Sequence, residues 1–196
     1  MNEVTTENEK KKDKAPLFFR WLIFFTMVMG IVWLATRPGV RLDQPGQGFV
    51  GQKLPAFRLR DLQGNWKTPA DYEHQLKIIT FWASWCAPCV MEMPSLDNLY
   101  REFKDKGLVV LGVNLEEENA LGKIMLFQKN NDITFPILRD SFSELGEVMG
   151  VTTSIPVNFV VDQHDVIILE ERTIRKWDSS ENKAWITSLL THTHQE

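Results

Sequence analysis

The longest apolar stretch of the chain lies near its amino end. Residues 17–35, LFFRWLIFFTMVMGIVWLA, include one charged residue, Arg20, and after it the only hydroxyl group is that of Thr26. A helix buried in a soluble protein usually keeps a polar stripe, which this stretch lacks. Its 19 residues are about the length that an α-helix needs to cross the hydrocarbon core of a bilayer. The pattern therefore predicts a single transmembrane helix over residues 17–36.

Polar segments lie on both sides of this stretch. Residues 1–16 contain a lysine cluster and show no apolar periodicity, so we expect a disordered cytoplasmic tail. Five basic residues precede or enter the helix and three follow it closely, which favours an amino end inside the cell. Residues 37–48, with two Pro and three Gly, predict a linker. A cleavable signal peptide is the alternative, but Trp33 stands where cleavage needs a small residue.

Short apolar runs alternate with helical patterns beyond the linker. The runs rich in β-branched residues predict buried strands, and apolar residues at helical spacing predict helices between them. The predicted elements are strands at 77–83, 108–113, 157–161 and 166–169, and helices at about 87–104, at 120–128 and from a capping pattern at Asp178 onward. Strands that alternate with helices need crossover connections. The sequence therefore predicts an α/β domain over residues 49–193, with a central mixed sheet flanked by helices.

The charge balance excludes one large class of partner. The formal net charge is −4, and from Val50 onward 15 Lys or Arg stand against 21 Asp or Glu, which gives −6. Nucleic acid binding needs a basic face, so we expect no nucleic acid partner. The chain has two cysteines, three positions apart, and so no framework of structural disulfides.

The two cysteines stand where a predicted strand passes into a predicted helix. Cys86 falls at the amino end of that helix, where unpaired N–H groups and the helix dipole favour a thiolate. Lowering a thiol pKa from about 8.5 to about 7 raises the thiolate fraction at pH 7 from roughly 3% to about half. We therefore expect Cys86 to be the attacking nucleophile and Cys89 to resolve the mixed disulfide. Half of a zinc site is the alternative, but the four histidines lack matching spacing, so no metal is expected.

The residues around the cysteines resemble a known family. Residues 81–89, FWASWCAPC, are similar to the active-site segment of the thioredoxin superfamily. The continuation through Leu96, with 109–114 and 154–162, resembles its membrane-anchored TlpA/ResA/CcmG (DsbE) branch, and the likeness covers about residues 48–190. The resemblance implies a thioredoxin-like fold with the extra insert of this branch, near residues 114–136. It implies no cofactor.

The resemblance also assigns roles to individual residues. Pro156 matches the superfamily's cis-proline, so the loop with Ile155 would face the dithiol and pair its main chain with substrate. Trp85 would cover the dithiol, although a plain packing role is an alternative. Glu92 matches an acidic residue of the ResA-like branch, and could exchange a proton with Cys89. The alternative is an ordinary solvated glutamate.

The resemblance implies a thiol-disulfide oxidoreductase that reduces the disulfides of partner proteins. It also implies a single-pass protein of the bacterial cytoplasmic membrane with its catalytic domain on the periplasmic or extracytoplasmic side. Its expected partners are protein thiols and disulfides such as apocytochrome c in cytochrome c maturation, an electron donor of the DsbD or CcdA kind, and the bilayer through residues 17–36. A disulfide-forming oxidant of the DsbA type, a non-enzymatic peptide-binding adaptor and a peroxidase are alternatives.

Overall fold

The computed structural model describes residues 17–35 and 48–192, which belong to two units of the chain, Met1–Gly46 and Gln47–Glu196. Helix α1 spans Leu17–Ala35, where the apolar run predicts a helix. Within the described residues, however, no helix is both long enough and apolar enough to cross a membrane, and this does not support the transmembrane helix expected over residues 17–36. The tail expected at residues 1–16 and almost all of the linker lie outside the described residues.

The second unit is an α/β domain, as the alternation of strands and helices predicts. Its strands are β1 Leu59–Asp61, β2 Trp66–Lys67, β3 Leu76–Trp82, β4 Leu108–Asn114, β5 Ile137–Arg139, β6 Val157–Val161 and β7 Ile167–Glu171. Its helices are α2 Ala87–Phe103, α3 Leu121–Asn130, α4 Glu144–Val148 and α5 Ser180–His192. Short 3-10 turns lie at Pro69–Tyr72, Lys104–Lys106 and Glu118–Ala120.

The strands form one mixed sheet in the order β2-β1-β5-β4-β3-β6-β7. Strands β3, β4 and β5 run parallel, and β1, β2, β6 and β7 pair antiparallel with their neighbours. The thioredoxin-like fold with a mixed sheet is therefore confirmed. Helix α3 lies within the segment 114–136 in which an insert was expected, and strand β5 directly follows this segment.

Strand β3 lies at the centre of the core, because every one of its residues is buried. Its side chains alternate between two apolar clusters, one on each face of the sheet: Ile78 and Trp82 join the side chains of α2, whereas Ile79 and Phe81 join those of β6. Such burial on both faces is typical of a central strand covered by other elements. The strand therefore ends rigidly at Trp82, four residues before the first cysteine.

The pairing register aligns five residues in one row across the sheet. Trp82 pairs with Asn114, Asn114 with Arg139, Arg139 with Arg60, and Arg60 with Trp66. The row crosses β3, β4, β5, β1 and β2, and it marks the edge of the sheet at which the three parallel strands end. Because β3 leads directly to the cysteines, everything along this row lies on the side of the domain that carries the dithiol.

Gly112 lies in β4 where the core leaves no room for a side chain. A Cβ atom there would come within 2.8 Å of Cε2 of Phe135 and 3.1 Å of Nε1 of Trp82. We expect Gly112→Ala to destabilise the domain by about 1–3 kcal/mol, lowering Tm by roughly 3 to 10 °C in thermal unfolding. The matched control is Gly122→Ala in α3, where nothing lies within 4 Å of the added atom. That variant should stabilise the helix slightly, and an equal Tm for both variants would contradict the packing argument.

Candidate active site

The two cysteines lie at the junction of β3 and α2, and they form a disulfide with a Cα–Cα distance of 5.3 Å. Cys86 is the N-cap residue of α2, and its Sγ accepts a hydrogen bond of 3.3 Å from the backbone N–H of Cys89. Pro88 stands in the first turn, where its missing N–H has no partner to lose. The helix start therefore provides a donor and the positive end of a dipole at one particular sulfur.

The loop around Pro156 faces this sulfur from the opposite side. The Ile155–Pro156 bond is cis, as the resemblance implies, and the carbonyl oxygen of Ile155 lies 3.6 Å from Sγ of Cys86. Pro156 itself is buried just before β6, whereas Ile155 is half-buried. A reduced Cys86 thiol could therefore donate a hydrogen bond to the carbonyl oxygen of Ile155, whereas a Cys86 thiolate has no proton to donate and cannot form this bond.

A cavity of about 470 Å³ opens beside Cys86. Trp85, Leu115, Thr153 and Ile155 are among the residues that line it, together with Cys86, whereas Cys89 does not line it. Trp85 is 69% exposed, so its indole forms a wall of this cavity and does not fill the core. The environment of the two sulfurs is thus asymmetric, since only Cys86 borders the space that a substrate can enter.

Glu92 lies one turn beyond Cys89 in α2, and it is 1% exposed. Its carboxyl group accepts hydrogen bonds from Nε1 of Trp177 (2.7 Å), from the backbone N–H of Arg175 (3.0 Å) and from Nδ2 of Asn158 (3.1 Å to both oxygens). Burial raises the pKa of Glu92 above its ordinary value, although these hydrogen bonds oppose the shift. An ordinary solvated glutamate, the alternative for this position, is therefore wrong.

The neighbours of Glu92 explain how an acidic side chain can be buried one helical turn beyond Cys89. Thr80 pairs across the sheet with Asn158, and Asn158 donates a hydrogen bond to both carboxyl oxygens of Glu92. The carboxyl group of Glu92 therefore extends from α2 to the region of the sheet beside Thr80. Its hydrogen bonds are all to residues other than the cysteines, so the structure places Glu92 near Cys89 in the helix without a direct bond to either sulfur.

Glu116 is a second buried acid at the site, and it is not among the site residues predicted from the sequence. Its carboxyl group accepts hydrogen bonds from the backbone N–H and Oγ of Ser84, from Nδ2 of Asn114 and from Nζ of Lys123. Burial alone would raise the pKa of Glu116, but these hydrogen bonds outweigh it and hold the pKa below the ordinary value. An ionised Glu116 therefore ties the segment before Cys86 to the end of β4. The available signal was the acidic run 116–118 directly after a buried strand.

Comparison with known proteins places this geometry among thiol-disulfide oxidoreductases. Residues 50–169 match the AhpC/TSA family. Thiol-disulfide oxidoreductase ResA of Bacillus thuringiensis subsp. konkukian is 31% identical over 121 residues, which are 62% of this chain and 68% of ResA. The crystal structure of Bacillus subtilis StoA has 27% identity and a TM-score of 0.57, over 68% of this chain and 97% of StoA. A Chlorobium tepidum protein described as thiol:disulfide interchange protein DsbE has 26% identity and a TM-score of 0.65, over 74% of this chain and 99% of its own.

Proposed function

Because the chain belongs to the AhpC/TSA family and is a thiol-disulfide oxidoreductase similar to ResA and DsbE, we propose that it reduces disulfide bonds of partner proteins outside the cytoplasm. The observation that carries the proposal is the asymmetric cysteine pair, with Cys86 at the helix start and beside the cavity and Cys89 behind it.

The reaction begins with both cysteines reduced and Cys86 as the thiolate. Its Sγ attacks one sulfur of the partner disulfide, forms a mixed disulfide and displaces the other partner sulfur as a thiolate, which takes up a proton. Cys89 then loses its proton and attacks Sγ of Cys86, which releases the second partner sulfur. Two electrons pass to the partner, and the Cys86–Cys89 bond seen here is the product.

Glu92 is proposed to assist the second step. Cys89 must lose a proton as it attacks, and the buried carboxyl group three residues further along α2 has a pKa raised by burial, which brings it closer to the range in which it can exchange protons near neutral pH. The hydrogen bonds from Asn158 and Trp177 hold the carboxyl group in place. Ile155 and Trp85 are proposed as substrate-binding residues, since both line the cavity beside Cys86.

The charges near Cys86 support this direction of electron flow. An oxidant of the DsbA type stabilises its thiolate strongly, which favours the reduced protein. Here the ionised Glu116 is bonded to Ser84, two residues before Cys86, and its charge is partly offset by Lys123, whose Nζ lies 3.0 Å from Oε1. The remaining negative charge disfavours a thiolate. The helix start and Glu116 thus oppose each other, and we expect the dithiol to be reducing.

We expect equilibration with glutathione or dithiothreitol to give a reduction potential well below that of strong oxidants, nearer to about −270 mV than to about −120 mV. Glu116→Gln should raise the potential, because it removes the charge and keeps the size of the side chain, although the amide NH₂ cannot accept the hydrogen bonds that one carboxylate oxygen now accepts. A wild-type value near about −120 mV would exclude the reductant and favour the disulfide-forming alternative. Failure to reduce insulin disulfides would favour the peptide-binding adaptor.

Such a reductant needs a tether that holds it near its partners, and it needs a source of electrons. We propose an electron donor of the DsbD or CcdA kind in the membrane and apocytochrome c among the disulfide substrates. Trapping of partners through Cys86 tests both assignments. A peroxidase is less well supported, because Cys86 is joined to a resolving cysteine three residues away and its relatives are named for thiol-disulfide exchange.

A further inference from the structure

A second cavity, of about 450 Å³, lies on the dithiol side of the domain. The residues that border it include Arg60 of β1, Arg58 just before β1, Trp66 of β2, Arg139 of β5 and Phe142. Three arginines at one place are unusual in a region whose charge from Val50 onward is −6. The cavity is separate from the one beside Cys86, and the reaction described above does not use it.

Two of these arginines, Arg58 and Arg60, form no salt bridge within residues 48–192, although the charge of Arg60 helps to lower the pKa of Glu118. The guanidinium groups of Arg58 and Arg60 stack on Trp66, with Cζ at 4.3 Å and 4.4 Å from the ring centroid. Stacking engages the faces of the guanidinium planes and leaves their N–H groups available for an acceptor in the plane. Both side chains are exposed, and Trp66 is 45% exposed. The indole therefore holds two guanidinium groups at the surface, each with several N–H donors.

The acidic residues of the cavity are largely engaged in hydrogen bonds within the protein. Glu118 accepts hydrogen bonds from Nη2 of Arg139 (2.8 Å) and from Oγ of Ser141. Asp140 is buried, and its Oδ2 accepts a hydrogen bond of 2.8 Å from the backbone N–H of Gly146. Glu144 stands on the rim of the cavity. The free donors on the β1 and β2 side thus outnumber the free acceptors, and this side of the cavity suits an anionic group.

The aromatic residues of the cavity point to a protein partner. Phe142 is 78% exposed beside the half-exposed Trp66. Aromatic side chains together with arginine are the residue types enriched at the centres of protein interfaces. A planar carboxylate accepts two parallel hydrogen bonds from a guanidinium group. A peptide segment with Asp or Glu beside an apolar residue therefore matches both the arginines and the aromatic side chains of this cavity.

The position of the cavity connects it with the dithiol. Arg60 and Arg139 belong to the row of paired residues that begins at Trp82, and β1 lies three strand spacings from β3. At about 4.8 Å per spacing, Arg60 is roughly 14 Å from Trp82, a length that about four residues of extended chain cover. Cys86 lies four residues beyond Trp82, so a partner segment of up to about eight residues can reach the arginines while its cysteine occupies the cavity beside Cys86.

From these observations we infer that Arg58, Arg60 and Trp66 form a docking site for a carboxylate-bearing segment of the protein whose disulfide is reduced, an inference that rests on the proposed function. The site selects among disulfide proteins by their acidic residues and raises the rate at which those partners react. It takes no part in the exchange of electrons. Residues 58, 60 and 66 are thus specificity-determining, and they are not catalytic.

The test compares the reduction of small disulfides by the reduced protein. The probes are disulfide-bonded peptides of equal length that carry either two Glu or two Lys four, six or eight residues from a cysteine, and the uncharged 2-hydroxyethyl disulfide. We expect Arg58→Gln/Arg60→Gln to lower the second-order rate constant for the Glu peptides about five-fold to ten-fold, with less than a two-fold change for 2-hydroxyethyl disulfide. The loss should shrink at high salt, and it should be largest at one spacing of the series.

Lys104→Gln/Lys106→Gln is the matched control. It removes two positive charges from exposed residues just before β4 begins, at the opposite edge of the sheet. A long-range charge effect would lower the rate for Glu peptides equally in both double variants, and that result would overturn the docking site. Equal rates for Glu and Lys peptides in the wild-type protein would overturn it as well.

A binding measurement separates this inference from the proposed function. A Glu peptide with Ser in place of Cys should bind the oxidised protein, in which the dithiol is closed, and should lose affinity five-fold or more in Arg58→Gln/Arg60→Gln, as measured by calorimetry. Loss of reductase activity toward every disulfide with this binding intact would reject the proposed function alone. Reduction of disulfides without any such binding would reject the docking site alone.

Discussion

Cys89→Ser is expected to trap partner proteins as stable mixed disulfides and to abolish turnover. Cys86 keeps its place at the start of α2, with the backbone N–H of residue 89 still directed at its sulfur, so the first attack proceeds. Serine cannot displace the partner from the mixed disulfide, and the complex accumulates. Disulfide reduction should fall by a factor of at least about 10³, since a nucleophile that resolves the intermediate is absent. Non-reducing gel electrophoresis followed by mass spectrometry detects the trapped complexes.

Cys86→Ser is the matched variant. It leaves only the deeper sulfur, and Cys89 does not line the cavity and is 1% exposed. We expect no activity and no trapped partners. The same partners captured through both variants, or none through Cys89→Ser, would reject the assignment of Cys86 as the attacking residue and Cys89 as the resolving one.

The elements that position the dithiol could be predicted from the sequence, because their signals are long. Strand β3 is a run of seven buried residues, and α2 has apolar residues on one face over 17 positions. The predicted ranges 77–83 and 87–104 differ from Leu76–Trp82 and Ala87–Phe103 by one residue. Strand β6 lies at 157–161 as predicted. The two cysteines, with their CxxC spacing, then lie at the junction of these two well-predicted elements.

The shorter elements carried no such signal. Strands β1, β2 and β5 have three, two and three residues, too few to show a period of two, and α4 has five. Their positions depend on pairing with distant strands, which no local pattern encodes. The docking arginines were missed for this reason. The start of α5 was also displaced by a residue, since Ser179 accepts the hydrogen bond from Asn182 N–H while Asp178 binds Asn98.

The polar contacts of the site were the least predictable part. Glu92 was a candidate by its spacing from Cys89, but its partners come from β6 and from the segment before α5, more than 60 residues away along the chain. Glu116 meets Ser84 across 32 positions. Contacts of this kind follow from the fold as a whole, so a single sequence without pairing information cannot specify them.

Glu92→Ala is expected to destabilise the domain strongly. The change removes the acceptor of three buried donors, Nε1 of Trp177, the backbone N–H of Arg175 and Nδ2 of Asn158, and leaves a cavity in the helix–sheet interface. Unsatisfied buried donors cost about 1–3 kcal/mol each, so with partial rearrangement we expect a loss of about 2–4 kcal/mol in urea unfolding. Glu102→Ala on the same helix is the control: that residue is exposed and pairs at the surface with Lys183, and little change is expected.

Glu92→Gln should instead fold well and lose exchange activity. The amide oxygen of Gln can accept the hydrogen bonds of Trp177 and Arg175, and its NH₂ can donate to Oδ1 of Asn158, which has no partner in the described residues, once the Asn158 amide turns over. A proton can no longer be exchanged at this position, so the rate of disulfide exchange should fall while the stability stays close to that of the wild type. Wild-type exchange rates at every pH would remove Glu92 from the mechanism.

The same pair of proteins gives a pH dependence whose sign is fixed by the pKa of Glu92. Burial raises this pKa in the folded protein above the ordinary 4.5 of an unfolded chain, so the folded state keeps a proton that the unfolded state has lost. The resulting stabilisation is complete below about pH 4.5 and is lost as the pH rises through the folded-state pKa. Unfolding free energies of the oxidised proteins from pH 4 to pH 8 should therefore fall for the wild type relative to Glu92→Gln and then level off. Because Asp140, whose pKa burial also raises, is present in both proteins, its contribution cancels in the difference. A difference that stays constant, or that grows in favour of the wild type as the pH rises, would show that the pKa of Glu92 is not raised in the folded protein, and a carboxylate of such low basicity could not take up the proton of Cys89.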